Sequence, residues 1–286
     1  MRRISKALRS DLKKCEDIIK NNSKTFYKAF GMLKSKTDRE AIYAIYAYCR
    51  VVDDAIDEYE DINLLNSYKV KLDNLKKGQT PDDYIFRSLS YVFETYYPKD
   101  YDFAPYEGLI CGQRRDFEFV QPKTLQSLLE YCYLVAGVVG EMLSYVVAPK
   151  DVLKDVRKVA IDLGEAMQIT NILRDIGEDK NRGRIYIPED VMQTFSYSKK
   201  DLEAEVVNDN FKSMFEYLAN YAQEKYKVAL ASLNLFKADA RKPLMLASLM
   251  YEAILNTVRQ NDYDVFKKRS VVPDSIKKEI IKKVYR

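Results

Sequence analysis

An all-α fold is what this sequence predicts, and three observations carry the prediction. Glycine (9) and proline (8) are scarce among 286 residues, which leaves few places where a helix is forced to stop or a chain to turn tightly. Apolar residues recur with helical rather than alternating spacing over most of the length. No strand-rich region and no solenoid repeat of about 20–50 residues breaks that pattern. Residues 1–286 therefore read as a single helical domain, long enough to bury a sizeable core.

The elements follow in order. Leu12, Cys15, Ile18 and Ile19 give a helical period over 11–33, interrupted at Asn21-Asn22-Ser23, residues that favour a fresh start at Lys24-Thr25-Phe26. Asp38 is positioned to cap a long helix from Arg39 to about Glu58. Residues 61–77 and 82–97 read as two helices separated by Gly78-Gln79-Thr80-Pro81. A Tyr/Asp/Pro-rich connection at 98–106 leads into a helix over 107–119. Pro122 and Thr124 open the next helix, which runs to about Val147. After Pro149-Lys150-Asp151 comes a helix containing Gly164–Asp179 and ending near Asn181–Arg184. Long helices are expected at 209–235 and 242–262, and a basic tail follows.

Composition narrows the chemistry. Histidine is absent, which removes Ser-His-Asp and Cys-His nucleophilic sites, His-ligated zinc and the Glu-x-x-His motif of di-iron bundles. Acid–base work falls to carboxylates, Tyr, Lys or the substrate, and a metal site must be mostly oxygen, which favours Mg²⁺, Mn²⁺ or Ca²⁺. The excess of Tyr (23) over Phe (12), with no Trp, suits rings whose polar tips line something partly wet. Cys15, Cys49, Cys111 and Cys132 show no C-x-x-C spacing and read as reduced and buried. No signal peptide is expected, because the basic start leads into no apolar h-region. The longest apolar stretch, Tyr133 to Ala148, is broken by Glu141 and is too short to span a bilayer. A net charge of +4 gives no case for nucleic acid. Lys and Arg at both chain ends suit peripheral contact with an anionic membrane, so a cytoplasmic protein with that option is expected.

Two stripes of polar residues carry the functional signal. On a helical wheel Gly164, Gln168, Asn171, Asp175, Glu178 and Asp179 fall within an arc of roughly 100°, with Ala166, Ile169, Leu173 and Ile176 opposite. Such a stripe repels itself by roughly 0.2–0.5 kcal/mol per like-charged pair. A solvated face is the simplest reading of one stripe. Far upstream, however, Tyr46, Arg50, Asp53 and Asp57 sit within about 60° of one another, the two aspartates about 6 Å apart along the axis. Two helices thus each present Asp-x-x-x-Asp beside an arginine, Arg50 and Arg174. Facing each other they would repel unless Mg²⁺ and phosphate filled the gap, since Mg²⁺ is held by a few carboxylates with substrate phosphates completing its shell. Arginine and lysine would then orient the phosphate oxygens. Ser23-Lys24-Thr25 offers hydroxyls, N–H groups and an ammonium for the same purpose, though alone it reads as a helix cap. Tyr133, Val135, Ala136, Gly137, Val139 and Gly140 form a smooth helix face, suited to tight helix packing or to the wall of an apolar tunnel.

Together these residues resemble the squalene/phytoene synthase family of head-to-head isoprenoid synthases, over about residues 20–272. The matching pieces are S-K-T-F (23–26), A-I-Y-A-Y-C-R-V-V-D-D-A-I-D (44–57), Y-C-Y-L-V-A-G-V-V-G (131–140), Q-I-T-N-I-L-R-D-I-G-E-D (168–179), G-R-I-Y-I-P (183–188) and Y-E-A-I-L (251–255). The resemblance implies an isoprenoid-synthase helical bundle with a central cavity between the two Asp-rich helices. It implies two or three Mg²⁺ ions, held by Asp53 and Asp57 on one side and by Asn171, Asp175 and Asp179 on the other. Ser23, Lys24, Thr25, Tyr46, Arg50, Gln168, Arg174, Tyr251 and Arg269 would contact two prenyl diphosphates, with Asn22 beside them. Asp53, Asp57, Asp175 and Asp179, together with Tyr133, are the catalytic candidates. Asp116, in Gln-Arg-Arg-Asp, has a counterpart in related stretches but no assigned role, and Glu178 is likewise unassigned.

The implied reaction joins two farnesyl diphosphates through a cyclopropylcarbinyl diphosphate to dehydrosqualene (4,4'-diapophytoene), as in C30 carotenoid biosynthesis. Phe30, one turn beyond Phe26, favours C15 over C20 donors by shortening the tunnel; an ordinary core role is the alternative. No NADPH is expected, because the wording of N-I-L-R-D-I-G-E-D and G-R-I-Y-I-P resembles the bacterial carotenoid branch. Competing readings are a phytoene synthase using geranylgeranyl diphosphate, an NADPH-dependent squalene synthase, a terpene cyclase or chain-elongating prenyltransferase, and a non-enzymatic helical scaffold.

Overall fold

The computed structural model describes residues 4–285, and among them there is no strand. Fifteen α-helices follow one another: α1 (Lys6–Asn22), α2 (Lys24–Phe30), α3 (Lys36–Asp57), α4 (Ile62–Lys76), α5 (Tyr84–Tyr96), α6 (Ala104–Phe117), α7 (Leu125–Cys132), α8 (Val138–Val147), α9 (Leu153–Arg174), α10 (Ile176–Asn181), α11 (Glu189–Thr194), α12 (Lys199–Glu203), α13 (Asp209–Ala231), α14 (Arg241–Gln260) and α15 (Asp274–Tyr285). The break expected at Asn22-Ser23 is there: the Ser23 side chain accepts from the Phe26 N–H, while its own N–H closes α1 on the Ile19 carbonyl.

Several boundaries differ from the expectation, each for a local reason. α3 begins three residues early because Ser35, not Asp38, is its N-cap. Asp38 is instead buried, accepting from Tyr96 and Lys237. α6 starts at Ala104 because Pro105 sits in its first turn, where a missing N–H costs nothing. The basic tail folds as α15, whose Val284 joins Ala29 and Leu246 in a small cluster flanked by Met32, Met245 and Ile280. The short helices α11 and α12 fill the connection before α13 and were not expected. Cys111 is exposed, unlike the buried cysteine expected there.

α3 and α9 form the middle of the bundle. α3 is buried almost all round between Ala41 and Ala55, as a central helix should be. α9 buries Ala166, Ile169 and Leu173 completely, packed chiefly on α13 and α8. α7, a π-helical turn (Tyr133–Gly137) and α8 make one continuous run, Leu125–Val147, of 23 residues. By length and composition this run is apolar enough to cross a membrane, so the expectation of too short a segment is corrected. Half of it is nonetheless buried inside the bundle, as befits a core helix.

Two glycines explain how the run and α9 meet. A Cβ on Gly140 would lie 2.0 Å from the Ala160 carbonyl oxygen, and one on Gly164 2.3 Å from that of Ala136. The helices therefore touch backbone to backbone, and Gly164 belongs to packing as much as to the polar stripe.

Candidate active site

A cavity of about 270 Å³ lies between these central helices. Tyr46, Arg50 and Asp53 from α3 and Gln168 and Asn171 from α9 contribute its polar groups. Phe26 and Phe30 from α2, Val135, Ala136, Val139 and Gly140 from the run, Phe236, and Leu244, Ala247 and Tyr251 near or on α14 supply apolar wall. Phe26 stacks on Phe30 at 5.9 Å and on Tyr251 at 5.6 Å. The smooth small-residue face thus serves both readings given to it, tunnel wall and helix packing.

The first stripe stays on one helix. Asp53 accepts a 2.7 Å hydrogen bond from Gln113 Nε2 on α6, and Asp57 pairs with Arg184 at 2.8 Å from the loop after α10. Arg50 pairs with Asp54, one turn on, yet its Nε is buried without a partner. Burial pushes the Asp53 carboxyl up to about 7, and Asp57, Asp54 and Asp116 add to the effect more than Arg50 subtracts.

The second stripe does not stay on one helix, which corrects the wheel. α9 ends at Arg174, Asp175 takes a non-helical ψ of 15°, and α10 starts at Ile176. The cause lies ninety residues downstream. The Gly177 N–H donates to the Val265 carbonyl, and a Cβ at Gly177 would come within 2.5 Å of that oxygen and 2.6 Å of Phe266 Cα. The 265–266 segment wedges against the helix and bends it. The same approach brings Arg269 to Asp175, at 3.0 Å from Nε, while Arg174 binds the same carboxylate from the other side. Asp179 is pushed up to about 8 by burial first, then by Asp175 and Glu178. Glu178 is exposed and pairs with Arg182.

Behind the two stripes sits Asp116, buried, accepting from Tyr131 at 2.8 Å and Tyr186 at 2.7 Å. It ties α6, α7 and the 183–188 loop together, and so holds the loop that delivers Arg184 to Asp57. Its carboxyl rises to about 6, through burial that outweighs the two hydroxyl donors.

The remaining candidates fall outside the cavity. Lys24 is exposed, and with Ser23 and Thr25 it opens the helix whose next residue, Phe26, is cavity wall. The Asn22 amide donates to the Ile18 carbonyl, closing α1, so it is engaged by the helix end rather than presented beside the clamp. Tyr133 is the clear correction: its hydroxyl donates to Glu141 at 2.8 Å, and it borders an outer depression with Arg115, Glu130 and Glu165 rather than the cavity. The π turn beginning at Tyr133 shifts the helical phase, so that Val135 and Ala136 face inward. Gln113, Arg184, Phe26 and Phe236 were missing from the expected set; Arg184 stood in plain view in G-R-I-Y-I-P.

The oxygen donors fit a hard dication, and Asp53 and Asp179 are raised by burial first and by neighbouring carboxylates second, a penalty on the charged form that a cation would relieve. They are not drawn into a ready cage: among the described residues no group of three or more acidic or thiol side chains is close enough to hold an ion. Asp57 and Asp175 rest on arginines instead. Arginines that rest on carboxylates can transfer to phosphate oxygens, which they bind with the same forked geometry.

The family model described as squalene/phytoene synthase matches residues 19–275. A 15-cis-phytoene synthase of Synechococcus elongatus is 34% identical over 91% of this chain and 87% of its own. A 4,4'-diapophytoene synthase of Staphylococcus haemolyticus is 36% identical over 95% of this chain and 96% of its own. A crystal structure of a dehydrosqualene synthase in complex with ligand superposes with a TM-score of 0.90 at 37% identity, covering 97% of this chain and 96% of that one.

Proposed function

The chain belongs to the squalene/phytoene synthase family, whose members are prenyltransferases, and on that premise we propose that it condenses two farnesyl diphosphates head to head into dehydrosqualene. The observation that carries the C15 choice is the pair of stacked rings, Phe26 and Phe30, in the cavity wall. Phe30 is 4% exposed, so a longer prenyl chain must displace a packed ring, at a cost of about 1–3 kcal/mol.

Asp53 and Asp57 on one side, and Asn171, Asp175 and Asp179 on the other, are the residues that would hold Mg²⁺. When bound, Mg²⁺ neutralises charge on a departing diphosphate. Arg50, Arg174 and Arg269, with Lys24 and the hydroxyls of Ser23 and Thr25, bind and orient the two diphosphates. Tyr46, Gln168 and Tyr251 position them at the polar end of the cavity. Loss of one diphosphate leaves an allylic cation, which the double bond of the second substrate attacks. Proton loss then gives the cyclopropylcarbinyl diphosphate, and a second ionisation, rearrangement and proton loss give the C30 product. Val135, Ala136, Val139 and Leu244 keep water from the cations, and the rings of Phe26, Tyr46 and Tyr251 face them with π density. Either a wall tyrosine or the released diphosphate accepts the protons.

The phytoene synthase relative favours a second reading, two geranylgeranyl diphosphates giving a C40 product. Incubation with each diphosphate, with and without Mg²⁺ and NADPH, separates the two. A C30 product from farnesyl diphosphate, dependent on Mg²⁺ and indifferent to NADPH, is expected. Phytoene alone, or squalene requiring NADPH, would overturn the choice.

A further inference from the structure

The acidic residues of the site are held in three different ways. Asp54, Asp57 and Asp175 are paired with arginines, and Asp116 with two tyrosine hydroxyls. Asp53 alone is held by a neutral amide, that of Gln113, and among the described residues no other side chain hydrogen-bonds it. Gln113 is 2% exposed and its Oε1 is buried with no donor. It sits three residues before Asp116 on α6, so the two project from one face, Gln113 to Asp53 and Asp116 to Tyr131 and Tyr186. An arginine at position 113 would orient Asp53 equally well but would cancel the charge a dication needs. An amide N–H fixes the carboxylate and leaves its charge in place. With Oε1 sealed and without a donor, the bond to Asp53 is the one hydrogen bond shown for this side chain among the described residues.

We propose that Gln113 is a positioning residue that holds Asp53 toward the cavity for Mg²⁺, giving the first residue of Gln-Arg-Arg-Asp a role. This rests on the proposed prenyltransferase reading. A plain packing role predicts that replacing the amide lowers stability alone. A positioning role predicts a change in Mg²⁺ dependence.

The test is Gln113→Met, which keeps length and volume without the donor, measured twice against Mg²⁺ concentration. One readout is turnover of farnesyl diphosphate. The other, free of catalysis, is the rise in melting temperature in the presence of inorganic diphosphate. Both half-saturation points are expected to move up by about tenfold to a hundredfold, while turnover at saturating Mg²⁺ returns to near the original level. Gln113→Asn, which withdraws the amide by one methylene, carries the same criterion should the methionine variant fail to fold. Unchanged half-saturation in both readouts, or turnover lost equally at every Mg²⁺ concentration, would overturn the proposal while leaving the reaction standing. A parent protein with no Mg²⁺ response in either readout would overturn the functional reading, and this inference with it.

Discussion

The two acidic stripes of this molecule, on α3 and at the α9–α10 junction, look alike as sequence and are built differently. On α3 an unbroken helix sets the spacing, and partners arrive from outside: Gln113 to Asp53, Arg184 to Asp57. At the α9–α10 junction the helix is bent by the 265–266 segment, and Asp175 lies between Arg174 and Arg269. The first stripe lies on an unbroken helix and is only partly neutralised, whereas the second is bent and its central carboxylate is paired with two arginines. On the proposed reading, α3 is the side that takes a cation and the junction the side that exchanges carboxylate for phosphate on its arginines.

Removing one charge from each stripe is the bluntest way to break the comparison. Asp53→Asn and Asp175→Asn are each expected to lower turnover by at least about 10²–10³-fold, with a melting temperature close to the parent's for Asp53→Asn and a lowered one for Asp175→Asn, which leaves the largely buried Arg174 without its carboxylate. Turnover and melting measured together separate chemistry from folding. A variant with parental turnover would remove its stripe from the mechanism.

Gly177→Ala probes the bend alone. The new Cβ meets backbone atoms of Val265 and Phe266, so a loss of about 1–3 kcal/mol is expected in chemical denaturation. KM for the diphosphate should rise as Arg269 is pushed from Asp175, with Mg²⁺ half-saturation little changed. A Gly177→Ala protein with parental stability and KM would show that the bend does not depend on this contact.

Each stripe holds one carboxyl that burial raises strongly, and Asp116 behind them shifts the same way. Asp53 and Asp179 rise from an ordinary 3.8 to about 7 and about 8 in the folded chain. Between roughly pH 4 and 8 the folded protein therefore binds more protons than the unfolded one, and metal-free stability falls as pH rises through that window. Asp11 and Glu216 are shifted downward and act below it. Mg²⁺ must displace the bound protons, so its stabilising effect should be larger at pH 8 than at pH 6. Calorimetric melting at several pH values, with and without Mg²⁺, checks both signs.

The smallest effect expected is on stability in Arg269→Ala. Its side chain is 56% exposed, so the loss should stay under about 1 kcal/mol, while KM for the diphosphate rises several-fold. A large loss of stability would make Arg269 a structural strut instead.

How much of this was legible follows from the same contrast. The α3 stripe was readable because helical periodicity within one segment determines it: Tyr46, Arg50 and Asp53 do share the cavity wall. So was the apolar face of α9. The bend at Asp175 was not, because its cause, Val265 against Gly177, joins residues far apart in sequence. Tyr133 was implied by the resemblance alone, and its outward placement rests on a bond to Glu141 two turns on, which no local pattern announces. Gln113 and Arg184 act through partners on other helices, and no local pattern reports such pairs. α15 was hidden by its lysines, which face solvent while Ile280 and Val284 turn inward.

The central claim is that the two stripes act as one unit across the cavity. A double-mutant cycle on kcat/KM for farnesyl diphosphate, using Asp53→Asn, Asp175→Asn and both together, tests it most directly. If the stripes cooperate, the double variant loses little more than the worse single one. Losses that multiply would show two independent groups and contradict the account.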